Sequence, residues 1–356
     1  MLRHKILLVT LAAIATACAG SDPQRASQPS PTVTIMTFNV ENLFDTKDDA
    51  GKDDRTFLPL SLKQSNEHRQ ACNKIEVDYW RDQCLHWDWS EEIVERKLSV
   101  VAAAILQVGN GRGPDILALQ EIENLGILER LRTEHLAAAG YAPAILIEGN
   151  DTRGIDVAFL TRLEVVEKPV LRDIPFEGAP KERVADTRGI LEATFRLPDG
   201  ALLTGYAVHF PAPFHPTGMR VSAYEFLNEL KSSLPQDRAA FAAGDFNTTS
   251  SESRQQSMLE RYVRPHWIVV HEQGSVGGKG TAYYAPDDSW SFLDMILWSP
   301  AKHHGDATWS LRASSVQIPN HIPEQLHDGV TPARFQLPEG SGVSDHWPLL
   351  AVIELK

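Results

Sequence analysis

Apolar residues alternate with threonine from Val33 to Phe38 (VTIMTF), a period of two that predicts a half-buried strand ending at Asn39. The nearly continuous apolar run Ile116 to Gln120 (ILALQ) predicts a fully buried strand ending at Glu121. Further strands are expected at Val157–Thr161, Ile190–Phe195, Leu202–Val208, Ala239–Ala243, Phe292–Trp298 and Pro348–Leu355. Between the first two strands the period lengthens. Val94, Leu98, Val101 and Ile105 form the stripe of a helix starting near Asp88, where Asp88 and Glu91 have capping-box spacing, and GNGRGP (Gly109–Pro114) stops it. Tyr224, Leu227 and Leu230 mark a second helix within Arg220–Leu230. A charged insertion, Asp45–Trp89, precedes the first helix. Strands and helices alternate without a second break in composition, which argues for a single α/β domain over residues 32–356.

Residues 1–17 follow another pattern: Arg3 and Lys5, an apolar run from Ile6 to Ala15, then Ala15-Thr16-Ala17 before Cys18. This is the pattern of a secretory signal, too short for a stable membrane-spanning helix. Small residues directly before a cysteine are similar to a bacterial lipoprotein signal, with lipid expected on Cys18, although ordinary cleavage after Ala17 suits the same residues. Residues 18–31, rich in Ser, Pro and Gln, read as a flexible tether. The protein is therefore expected outside the cytoplasm, anchored at the cell envelope or secreted. Cys72 and Cys84 lie in a polar, loop-like stretch and can pair in an oxidising compartment. A zinc site drawing on His86 is the poorer alternative, because a tetrahedral ion is left short of ligands.

With 42% apolar and 23% charged residues, the 356-residue chain has the balance of a folded protein. Its formal net charge is -13, and loss of residues 1–17 with Arg3 and Lys5 leaves -15. Nothing global attracts such a chain to a polyanion, so contact with nucleic acid needs a local basic patch or a bound metal.

Polar residues follow the predicted strands in a regular way. Asn39 and Glu41 follow the first, Glu121 follows ILALQ, His209 follows LLTGYAV, and Asp245 and Asn247 follow FAAG. In α/β sheets the carboxyl ends of parallel strands share a rim where ligands bind. Asp345 and His346 stand before the last strand, so they reach that rim only if this strand runs antiparallel and the sheet is mixed. Asp294 sits among apolar residues, where an unpaired carboxylate is costly and a histidine is the natural partner.

These residues resemble the endonuclease/exonuclease/phosphatase superfamily. The matching pieces are TFNVENLF (Thr37–Phe44), ILALQEIEN (Ile116–Asn124), RGIDVAFL (Arg153–Leu160), VHF (Val208–Phe210), GDFN (Gly244–Asn247), FLDMIL (Phe292–Leu297) and SDHWPL (Ser344–Leu349), in the family's order. The resemblance implies an α/β four-layer sandwich, two mixed sheets flanked by helices, and metal-dependent phosphoester hydrolysis. It implies Glu41, Glu121 and Asp345 as ligands of Mg²⁺, with Mn²⁺ or Ca²⁺ as substitutes, Asp345 acting directly or through water. It further implies Asp245 or His346 as the general base, Asp294 as the residue that orients His346, and Asn247, His209 and His346 as stabilisers of the charged phosphoryl group. Asn39 is a supporting residue. Arg153, Arg188, Arg220 and Lys279 are the candidates for phosphate contacts, since each lies beside a motif or a glycine.

Other patterns fail. DTKDDAGKDD (Asp45–Asp54) has Lys47 and Ala50 where an EF-hand needs an oxygen ligand and glycine, and is expected to be a solvated loop. GGKGT (Gly277–Thr281) lacks the P-loop's leading glycine. The repeated DTRGI, at Asp151 and Asp186, reads as two similar turns leading into strands. His303 and His304 are expected at the surface. The expected activity is that of a nuclease, with a phosphomonoesterase or phospholipid-headgroup phosphodiesterase on the same site as the alternative. A non-catalytic surface binding lipoprotein is the reading from another class. The expected partners are a phosphoester, nucleic acid included, and a membrane through the lipid; no protein partner is inferred.

Overall fold

Two six-stranded mixed sheets pack face to face. The first runs, in spatial order, Trp309–Leu311, Leu349–Leu355, Thr32–Leu43, Ile116–Ile122, Asp156–Thr161 and Ile145–Leu146. The second runs Val170–Arg172, Ile190–Arg196, Leu202–His209, Ala239–Asp245, Asp294–Ser299 and Ile268–Val269. Each has one parallel pair at its centre, Thr32–Leu43 with Ile116–Ile122 and Leu202–His209 with Ala239–Asp245. The last strand, Leu349–Leu355, is antiparallel to Thr32–Leu43, as the placement of Asp345 and His346 requires. The computed structural model describes residues 30–274, 276–302 and 308–356, and Pro31–Lys356 is one compact unit. The signal, most of the tether with Cys18, and His303 and His304 lie outside the described residues.

Strand alternation makes the layers. Val33, Ile35, Ile116, Phe159, Phe195, Phe241, Ile296 and Trp298 fill the space between the sheets, with Phe159 and Phe195 edge to face at 5.5 Å. Met36, Phe38, Val40, Leu117 and Leu119 take the opposite parity and meet the helix Glu91–Leu106 through Val94, Leu98, Val101 and Ile105. Tyr206, Val208, Ala240 and Ala242 do the same on the second sheet, against Ala223, Tyr224 and Leu227 of the helix Thr217–Ser232. Burying one such aromatic or leucine side chain stabilises the fold by about 1.5–3 kcal/mol.

Two expectations are corrected, and the pairing of Cys72 with Cys84 is met. The capping box does not form: Ser90 is the N-cap without a side-chain bond, and Asp88 Oδ1 instead accepts from Leu60 N at 2.8 Å. The insertion is not a plain loop, because it carries the helices Asn66–Cys72 and Asp78–His86. Cys72 and Cys84 stand on these helices, fully buried, and form a disulfide that joins them. His68, and not His86, lies against the sulfurs, with its Nε2 3.2 Å from Cys72 Sγ.

Gly244 shows how tightly the strand before Asp245 is held. A Cβ there would lie 1.9 Å from the Val208 carbonyl oxygen on the neighbouring strand. Gly244→Ala is expected to cost about 3 kcal/mol, read from urea unfolding. An unchanged midpoint would show that the parallel pair can spread.

Candidate active site

Asn39, His209, Asp245 and Asp294 continue the alternation that points Ile35, Ala207, Ala243 and Ile296 into the space between the sheets. The apolar core therefore ends in a polar mouth built on the same side-chain register. Glu121 departs from that register. It has φ 64° at a break in the ladder between Gln120 and Ile122, and Glu41, Asn42 and Asn247 have φ of 52°, 58° and 50°. Left-handed backbone is unfavourable for such residues, and here it clusters where side chains must be re-aimed.

Asp245 is the hub. Its Oδ1 accepts from Asn247 N at 2.8 Å, and its Oδ2 lies 3.3 Å from Asn39 Nδ2, 3.5 Å from His209 Nε2 and 4.0 Å from His346 Nε2. Burial, reinforced by Asp294 and Glu121 against the opposing pull of His346, pushes its carboxyl up to about 7. Asn39 Nδ2 also reaches Glu121 Oε1 at 3.3 Å, while Glu121 Oε2 accepts from Asn42 N at 3.0 Å. Asn247 donates through Nδ2 to the Phe210 carbonyl at 3.0 Å, which fixes its amide plane.

The two histidines have opposite character. Burial opposes charge on His346, but Asp294, whose Oδ2 is 2.7 Å from Nδ1, outweighs it together with Asp245 and Asp345 and holds the pKa well above the ordinary value. His209 is pushed well below its ordinary value by burial and then by the Arg188 and Arg153 guanidiniums, so it is neutral. The site thus offers a cationic His346 and a neutral His209 on either side of Asp245.

The three expected metal ligands do not share one environment. Glu41 Oε2 accepts from Phe335 N at 3.0 Å and Asp345 N at 3.1 Å, and Glu41 Oε1 lies 2.9 Å from Arg334 Nε. Arg334 also pairs with Asp345. Burial and then Asp345 raise Glu41 to about 8, and burial lowers the neighbouring Lys97 to about 8 while its Nζ donates to the Val343 carbonyl at 2.7 Å. Arg334 therefore takes up charge on Glu41 and Asp345, leaving Glu121 as the carboxylate of the three without an arginine or lysine pair among the described residues. An all-oxygen donor set of carboxylates fits a hard divalent cation, and Asn39 braces it, its Nδ2 facing Glu121 and Asp245 while its Oδ1 accepts from Glu41 N at 3.0 Å.

Sequence reasoning missed Arg334 and Lys97. Lys97 carried a signal, since it stands three residues after Val94 on the apolar stripe; Arg334 carried none. Arg153 does reach the cluster, donating to Asn42 Oδ1 at 2.5 Å. Arg220 does not. It is buried, pairs with Glu252, and donates to the carbonyls of Pro211, Ala212 and His215, so it braces the loop after His209 and is not a phosphate contact. Arg188 is likewise spent, 3.1 Å from Asp151. Lys279 lies in an exposed turn. A cavity of about 680 Å³ bordered by Arg96, His327, Arg334 and Gln336 adjoins the Glu41 side of the cluster and does not cover Asp245.

The profile of the endonuclease/exonuclease/phosphatase family matches residues 90–346. The chain belongs to this family. Its members are typically metal-dependent phosphoester hydrolases, in keeping with the oxygen-rich cluster. Among solved structures the chain is similar to a family member from Bacteroides vulgatus, at 18% identity and a TM-score of 0.53 over 91% of this chain and 99% of that one. It is similar to a humanized D. rerio TDP2 at 14% identity and TM-score 0.53, again over 91% and 99%. D. rerio TDP2 complexed with a single-strand DNA product matches at 17% identity and TM-score 0.51, with the same coverage. At these identities the likeness establishes the family's α/β sandwich fold. No curated protein matches the chain.

Proposed function

We propose that the protein is an exported, Mg²⁺-dependent phosphodiesterase that acts on nucleic acid as a nuclease. The observation that carries this reading is the meeting of Asp245, Asn247, His209, the His346–Asp294 pair and Glu121 at one polar mouth. A buried carboxylate raised to about 7 is suited to accept a proton from the attacking water. His346, kept cationic by Asp294, stabilises negative charge growing on the phosphoryl oxygens, and neutral His209 donates a hydrogen bond without repelling Arg153. Glu121, the carboxylate that Arg334 leaves free, would anchor a divalent cation, which when bound polarises a phosphoryl oxygen and offsets phosphate charge.

Two features support nucleic acid. One similar structure is TDP2 complexed with a single-strand DNA product. Tyr79, Trp80 and Phe214 are exposed large aromatics, and Tyr79 lies within electrostatic reach of Arg334. Aromatic faces of this kind stack on bases irrespective of sequence. The net charge of -13 favours the second reading, a small phosphoester or a phospholipid headgroup, because a polyanion is repelled.

The test incubates the protein with supercoiled plasmid, single-stranded DNA, sphingomyelin vesicles and a phosphomonoester, each in Mg²⁺ and in EDTA. Plasmid nicking or strand cleavage that EDTA stops is the expected result. Headgroup or phosphate release by a folded protein that leaves both DNAs intact would replace the nuclease reading with the second one.

A further inference from the structure

The loop that follows His209 is braced at both ends and carries an exposed ring. Phe210 N donates to the Asp245 carbonyl at 2.8 Å, and the Phe210 carbonyl accepts from Asn247 Nδ2 at 3.0 Å, so the loop is rooted in the catalytic cluster. Arg220 Nη1 then donates to the carbonyls of Pro211, Ala212 and His215, at 3.1, 2.7 and 3.3 Å. His215 N closes the turn on the Ala212 carbonyl at 2.9 Å, and Pro211, Pro213 and Pro216 fix their own backbone angles. The His215 side chain, 1% exposed, lies 3.2 Å through Nε2 from Oδ2 of Asp186, which follows the short helix Lys181–Val184.

Phe214 stands within this braced segment and is 65% exposed. It belongs to none of the apolar clusters that join the sheets to one another and to the helices. Its ring centroid is 4.4 Å from that of His215, and the Arg183 guanidinium lies over the ring at 5.9 Å, within reach of a cation–π attraction. Arg183 is exposed and has no carboxylate pair among the described residues, Asp186 being taken by His215. It therefore supplies local positive charge beside the mouth of a chain whose net charge is -13. A flat apolar face with a cation next to it matches the two parts of a nucleotide, base and phosphate. The bases of a duplex are already stacked on their neighbours, so such a platform takes unpaired bases.

We propose that Phe214 and Arg183 form a nucleotide subsite beside the catalytic mouth, with Phe214 stacking on a base next to the scissile phosphate and Arg183 contacting a flanking phosphate, so that single strands are preferred. This inference rests on the nuclease reading and names the substrate class within it. Because the loop is ordered in advance, little conformational entropy is lost when the base docks.

The full-length wild type, Phe214→Ala, Phe214→Trp and Arg183→Gln are compared in Mg²⁺ on oligothymidylate, on the same strand annealed to oligoadenylate, and on methyl p-nitrophenyl phosphate, a diester without a base. Wild type is expected to favour the single strand. Phe214→Ala should lower kcat/KM for oligothymidylate, chiefly through KM, by about tenfold more than for the base-less diester, and Phe214→Trp should restore it. Arg183→Gln should raise KM for oligothymidylate and reduce the slope of log KM against log salt by about 0.7. Equal losses on both single-stranded DNA and the base-less diester in Phe214→Ala, or no loss on either, would overturn the subsite and leave the nuclease reading standing. Turnover of the base-less diester with neither DNA cleaved would remove the nuclease reading, and the subsite with it. Weaker binding of Phe214→Ala to phosphatidylglycerol vesicles, with unchanged kinetics on oligothymidylate, would assign the ring to a lipid surface and overturn the proposal.

Discussion

Asp245→Asn is expected to lower kcat by about 10²–10⁴-fold on any phosphoester the enzyme accepts, with KM little changed. Asparagine keeps the size of the side chain and its acceptor for Asn247 N, the 2.8 Å bond that shapes the turn, so the fold is retained. What is lost is the proton acceptor and the anionic partner beside His346 and His209. The wild-type pH profile carries the sign. A base works only when ionised, so activity rises with pH on the acid limb, and that limb lies at or below about 7 because a bound cation lowers the carboxyl further. Steady-state kinetics from pH 5 to 9 would read both effects, in about half-unit steps. Full kcat in a folded Asp245→Asn would remove Asp245 from the chemistry.

Arg188→Met is expected to cost about 3–5 kcal/mol of stability, because it strands a carboxylate in the interior. Arg188 and Asp151 have side chains 5% and 1% exposed, with Nη1 3.1 Å from Oδ2. Asp151 Oδ1 accepts from Arg153 N at 2.8 Å, and among the described residues no other lysine or arginine pairs with this carboxylate. The double variant Arg188→Met with Asp151→Asn removes that charge, keeps the backbone acceptor, and should recover most of the loss. Urea unfolding of the single and double variants checks this. Equal destabilisation in both would show that packing of the arginine stem, and not the ion pair, holds this corner. Arg188 also acts on His209 through its field, so kinetics of the single variant should change in parallel.

That ion pair also shows where sequence reading stops. The two DTRGI segments were legible as turns into strands, and each does lead into one, Asp156–Thr161 and Ile190–Arg196. Nothing local reveals that the arginine of the second copy pairs with the aspartate of the first, because the strands belong to different sheets. Asp294 and His346 are the contrasting case. Burial of a lone carboxylate predicted a histidine partner, and the 2.7 Å contact meets that expectation. Arg334 had no such signature, since an arginine in a loop looks alike whether it meets water or a buried and a half-buried acid.

The eight inner strands in chain order, the helix stripes and the polar residue at each strand end followed from the sequence alone, and the direction of the last strand followed once Asp345 and His346 were required at the same rim. The short edge strands Ile145–Leu146, Val170–Arg172, Ile268–Val269 and Trp309–Leu311 did not. Side-chain period and solvation act locally and leave a visible pattern. The tertiary structure alone decided how charge is shared at the site: that Arg334 draws Glu41 and Asp345 aside from Glu121, that His346 is cationic while His209 is neutral, and that Asp54 and Glu123 are buried behind an apparently solvated loop. Electrostatic coupling depends on distance in space and on exclusion of water, and neither quantity exists until residues far apart in the chain are packed together.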